Sequence, residues 1–164
     1  MKTSWSLFAC YGTSYIGGKK AFGENFGQVV ASNKSPWLIC GDRNEVVDVS
    51  EKQGGRGIWK RRLFLKEFME NVGGIDLGFN GERYTWTNGQ TDQAAVKERL
   101  DRAIANKDWL EANPLAFVEY LNFEESNHCP FVIRSEGAKN KCNRTFGFFK
   151  AWTDQTSYKV VKKA

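Results

Sequence analysis

Long hydrophobic runs are missing from this 164-residue chain, and so is any cysteine pair spaced to grip a metal. No apolar stretch approaches the roughly 20 residues that cross a bilayer, so no membrane span is expected. No charged and apolar leader precedes the first strand-like segment, which points to an intracellular protein, nuclear or cytoplasmic, that is not secreted. The four cysteines (Cys10, Cys40, Cys129, Cys142) are scattered without a C-x-x-C. That argues against zinc and for free thiols in a reducing compartment. Histidine occurs once, at His128. Internal repeats and low-complexity segments are also absent.

What is present suffices for a core: 41% of residues are hydrophobic and 14% aromatic, in a length that suits one domain or part of one. The net charge of +5 is unevenly spread, because residues 134–164 hold eight Lys and Arg against Glu136 and Asp154. The body is close to neutral. A basic tail on a neutral body suits contact with a polyanion, and equally describes a solvated linker.

The apolar run at 37–40 stops at Gly41-Asp42-Arg43-Asn44, as a strand buried on both faces would. Asp42 and Asn44 would share a face of such a strand. There the carboxylate could take a proton from a water and the amide could hold a phosphate oxygen. The same residues also describe a strand ending in an Asx turn. Around this stretch, 7–11 reads as a strand, 19–30 as an amphipathic helix, 46–57 as a loop, and 60–72 as a helix closed by Gly73-Gly74. Strands at 75–77 and 83–87 flank Asn80-Gly81, a hairpin signal, and Asn88-Gly89 marks the next turn. Residues 96–105 fit a strand or a helix. Asn106 is placed to cap a short helix at 107–111, and strands follow at 117–121 and 131–134. The mixture predicts an α/β sandwich.

Three polar clusters stand at the ends of apolar runs: Gly41 to Asn44, Arg99-Leu100-Asp101-Arg102, and Ser126-Asn127-His128. Each has a local explanation too, since Asp101 between two arginines describes a surface ion pair of little worth. Their order and surroundings resemble the endonuclease/exonuclease/phosphatase (DNase I-like) superfamily, and more narrowly the endonuclease domain of plant LINE-type non-LTR retrotransposons. The resemblance runs from WLICGDRNEVVDVSEKQGG through LFLKEFMENVGGIDLGFNGERYTWTN and VKERLDRAIANKDW to SNHCP, covering about residues 7–135.

That resemblance implies a role for each residue. Asp42 would be the water-activating aspartate and Asn44 the transition-state asparagine. Asp101 would orient the catalytic His128, and Tyr11 would contact the scissile phosphate. It implies Mg²⁺ and a DNA substrate, with no small-molecule cofactor and no membrane. Asn127 stands where the family has a metal-adjacent Asp, and Arg43 where it has an aromatic. A buried unpaired Arg is costly, so Arg43 is expected to reach solvent or an acid.

The expected architecture is the C-terminal half of a four-layered α/β (α+β) sandwich. Residues 1–135 would be a partial domain lacking the N-terminal half and its metal-binding Glu, and 136–164 a basic connector. Such a chain would supply about one of two sheets. It would leave the face carrying Leu38 and Cys40 partly uncovered and open to association. The expected function is a remnant of a DNA-nicking endonuclease, inactive alone. The alternatives are a non-catalytic nucleic-acid-binding remnant, or a phosphatase of the same fold acting on a small phosphoester.

Overall fold

The computed structural model describes residues 4–57 and 63–136. In chain order its strands are β1 (Ser6–Ala9), β2 (Trp37–Asp42), β3 (Lys52–Gln53), β4 (Ile75–Asp76), β5 (Phe79–Gly81), β6 (Trp86–Thr87), β7 (Lys97–Glu98), β8 (Asp101–Ala105), β9 (Phe117–Tyr120) and β10 (Phe131–Arg134). The α-helices are α1 (Lys19–Ser32), α2 (Phe64–Val72) and α3 (Lys107–Ala112). The basic tail beyond residue 136 and the start of the helix expected at 60–72 lie outside the described residues. Among the described residues no helix is long and apolar enough to cross a membrane.

The main sheet has the order β1-β2-β8-β4, and a second sheet has the order β10-β9-β5. β2 is the hinge of the packing, because its alternate side chains enter two cores. Leu38 packs with Leu77, Ala103, Ala105, Val118 and Tyr120, between the two sheets. Trp37 and Ile39 turn the other way, onto Val30, Leu65, Phe68 and Met69 of α1 and α2. Burial on both faces explains the unbroken apolar run. Each fully buried large aliphatic, such as Ile39, contributes roughly 1.5–3 kcal/mol. The result is an α+β stack of helices, sheet and sheet.

Several expectations are corrected. The chain contributes to both stacked sheets, not to about one, because β9 and β10 lay Val118, Tyr120, Phe131 and Ile133 over the main sheet. Leu38 is therefore only 3% exposed. The uncovered part of its face lies at the edge strand, where Leu7, the parallel register partner of Leu38, is 55% exposed. The hairpin signal Asn80-Gly81 lies inside β5, which runs parallel to β9. Tertiary pairing claims it, with Phe79 packed on Tyr120 at 5.1 Å between ring centroids. The loop expected at 46–57 contains a 3-10 turn (Val49–Glu51) and β3, which pairs with β7. The ambiguous 96–105 segment resolves into β7 and β8, broken at Arg99 and Leu100 as the chain leaves one sheet for another. Gly73, with φ 66°, closes α2, and Asn106 caps α3 by accepting the Trp109 N–H at 3.1 Å.

Candidate active site

Two glycines bring the ends of β1 and β2 together. Gly41 has φ 130°, and a Cβ there would sit 2.2 Å from the Cys10 carbonyl oxygen. A Cβ on Gly12 would sit 2.4 Å from the Arg43 carbonyl oxygen. Only glycine permits this approach. It lets the Gly12 N–H donate to the Asp42 carbonyl at 2.7 Å, which places the loop after β1 against the end of β2.

Asn44 does not share a strand face with Asp42. β2 ends at Asp42, and Asn44 has φ 49°, with its N–H donating to Asp42 Oδ1 at 2.7 Å. This is an Asx turn, a local bond that the strand alternation cannot anticipate. The Asn44 side-chain amide donates to the Gly12 carbonyl at 2.7 Å. Tyr11, beside Gly12, is 72% exposed.

Asp101 begins β8 directly opposite Asp42 in the antiparallel register. His128 arrives from the segment between β9 and β10 and stands over both carboxylates. Its Nδ1 lies 3.0 Å from Asp101 Oδ2, and its Nε2 lies 3.9 Å from Asp42 Oδ2. A carboxylate only accepts, so Nδ1 carries the proton and Nε2 faces Asp42. Asp42 Oδ2 is buried and has no hydrogen-bond partner. Burial raises the Asp42 carboxyl above its ordinary pKa, opposed by the Asn44 N–H and assisted by the Asp101 charge. Asn127 is exposed, and its carbonyl accepts the Thr87 N–H at 3.0 Å. Asp42, Asp101 and His128 thus converge; Asn44 is bonded to Asp42, Asn127 precedes His128 in the chain, and Tyr11 precedes Gly12, which bonds to both Asp42 and Asn44.

The arginines flanking Asp101 do not form a surface ion pair. They turn inward to other acids, in a closed ring of four charges. Arg99 reaches Glu51 at 2.8 Å and Asp76 at 2.9 Å, and Arg102 reaches Glu51 at 2.7 Å and Asp76 at 2.9 Å. Arg102 is 0% exposed. Burial alone would raise Glu51 and Asp76, but the two guanidinium groups hold both carboxyls below their usual range. The Tyr120 hydroxyl accepts from Arg99 Nε at 3.1 Å and donates to the Asp101 carbonyl. Burial, aided by the Asp76 charge, pushes that phenol up to about 12. Glu51, Asp76 and Tyr120 were invisible as site supports in the sequence, where each reads as an ordinary loop or strand residue.

Among the described residues Arg43 reaches neither solvent nor an ion pair with an acid. It is 6% exposed, with its guanidinium 5.2 Å from the ring centroids of Phe26 and Phe68 and 5.6 Å from that of Phe22. Three π-faces replace the acid, and burial depresses its pKa.

The donors brought together do not fit a magnesium ion. Mg²⁺ asks for carboxylate oxygens in an octahedron. Asp101 Oδ2 is occupied by His128, and Asp42 Oδ2 is a single unclaimed oxygen. Among the described residues no three His, Cys, Asp or Glu side chains come close enough to hold a metal.

No protein-family model matches the chain. No curated protein matches it either. Among solved structures, beta toxin from Staphylococcus aureus superposes with a TM-score of 0.56 and 15% identity, over 80% of this chain and 53% of that one. The chain spans about half the length of that structure. The likeness is one of fold, a DNase I-like α+β arrangement.

Proposed function

We propose that the chain carries the water-activating and phosphate-binding part of a phosphodiesterase site acting on DNA, of the retroelement endonuclease type that its motif order resembles. The observation that carries this reading is the His128 ring between two carboxylates, bonded to Asp101 and facing the unpartnered oxygen of Asp42. A carboxyl whose pKa is raised is a better base for a water proton. Protonated His128, held by Asp101, donates from Nε2 to a phosphoryl oxygen as charge builds there. The metal that the resemblance implies would need carboxylates from outside the described residues, and in this reading the chain alone binds DNA without cutting it.

The test is nicking of supercoiled plasmid with Mg²⁺, beside a salt titration of DNA binding. The 164-residue chain should bind with salt-sensitive affinity and leave plasmid intact. Fused behind the first half of an active DNase I-like endonuclease, it should nick, and His128→Ala should abolish that. A fusion that nicks equally well with His128→Ala would remove the reading. Turnover of a soluble phosphoester with no effect on plasmid would favour a phosphatase instead.

A further inference from the structure

We propose that Thr85 is a positioning residue of this site, fixing the tautomer of His128 by holding the strand of Asp101 and the segment of His128 in one frame. Thr85 is fully buried. Its Oγ1 accepts two consecutive N–H groups, those of Leu100 and Asp101, each at 2.9 Å. Its carbonyl accepts the N–H of Cys129, the residue after His128, at 2.8 Å, and its own N–H donates to the Glu98 carbonyl at 3.0 Å. Thr85 therefore touches both chain segments whose side chains form the Asp101–His128 bond.

The two N–H groups lie at the break between β7 and β8, Leu100 outside both strands and Asp101 at the start of β8. Buried N–H groups need acceptors, and valine, of nearly the same shape, has none to give. The carbonyl of Asp101 is pinned separately by Tyr120. With the Thr85 hydroxyl lost, the N–H side of Asp101 is released while the His128 segment stays tied to the Thr85 carbonyl, so the two no longer share one frame. Hydrogen bonds weaken steeply with misalignment, so the 3.0 Å contact between Asp101 Oδ2 and Nδ1 is the first to go.

The inference rests on the proposed function only for the catalytic part given to His128. Its test uses no substrate, so a failed DNA assay bears on that function and not on Thr85. His128 is the chain's one histidine, so a ¹⁵N long-range correlation spectrum of the intact chain, taken where the ring is neutral, contains one imidazole. The wild type and Thr85→Ser should show the Nδ1–H form. Thr85→Val should lose it to the Nε2–H form. Should Thr85→Val fail to fold, Thr85→Ala leaves room for a water at the two N–H groups and should show the same loss. Met69→Ala, which opens the helix-side core, should keep the Nδ1–H form. An Nε2–H wild type, retention of Nδ1–H in the folded Val or Ala variant, or its loss in Met69→Ala would each overturn the proposal.

Discussion

Asp42 and Asp101 are register partners on β2 and β8, so two carboxylates face each other across the main sheet. Like charges directly opposite destabilise a strand pair. His128 over both, and the Asn44 N–H on Asp42, make the pairing tolerable. The cost remains readable in Asp42, whose carboxyl is raised first by burial and further by Asp101.

Asp42→Asn should stabilise the fold at neutral pH. A carboxyl raised in the folded state means that ionising it costs stability. That cost is absent in acid, where both states are protonated, and appears as pH rises through the folded pKa. Asn keeps the Oδ1 acceptor for the Asn44 N–H. The expected gain is about 1 kcal/mol at neutral pH, vanishing near about pH 3. Urea midpoints at the two pH values check it, and a less stable Asn variant at neutral pH contradicts it.

Breaking the buried ring of charges should be expensive. Arg102→Met leaves Glu51 and Asp76 short of a partner and should cost about 3–5 kcal/mol in urea unfolding. The pH dependence has the opposite sign to that of Asp42. Both acids are held low, so their contribution is present above the ordinary carboxylate range and lost as pH falls through their folded pKa values. Acid should unfold the chain steeply, and Glu51→Gln should flatten that limb. An acid limb of unchanged slope in Glu51→Gln would show that the ring is not its source.

At Arg43, packing should matter more than charge. The guanidinium Nε and Nη1 have no hydrogen-bond partner, which offsets a cation–π gain of roughly 2 kcal/mol. Arg43→Met should stay within about 1.5 kcal/mol of wild type. Arg43→Ala empties the space beside Phe22, Phe26 and Phe68 and should lose about 2–4 kcal/mol. Equal losses in both variants would point to the charge.

Asn127→Asp should not make the isolated chain nick DNA, because one added carboxylate still leaves the donors short of a magnesium site. In the fusion described above it should raise nicking about tenfold. Mg²⁺-dependent nicking by the unmodified chain, lost on Asp42→Ala, would show that the site is complete as it stands.

Elements whose signals are local were legible in the residues alone. The run at Trp37 encodes a doubly buried strand, because a strand covered on both faces has no polar side to alternate with. The stripe of Leu65, Phe68 and Met69, the glycine after α2 and the cap at Asn106 were legible for the same reason: each acts within a few residues. The resemblance carried by the order of GDRN, RLDR and SNHCP singled out Asp42, Asp101 and His128, three side chains that the fold brings together. Contacts between distant segments settled the rest. Whether Asn80-Gly81 turns or pairs depended on β9, distant in sequence. Whether Arg99 and Arg102 face water or two buried acids depended on Glu51 and Asp76 arriving from other segments. That Thr85 holds Asp101 and the neighbour of His128 depended on hydrogen bonds 16 and 44 residues apart in the chain, which carry no spacing signal at all.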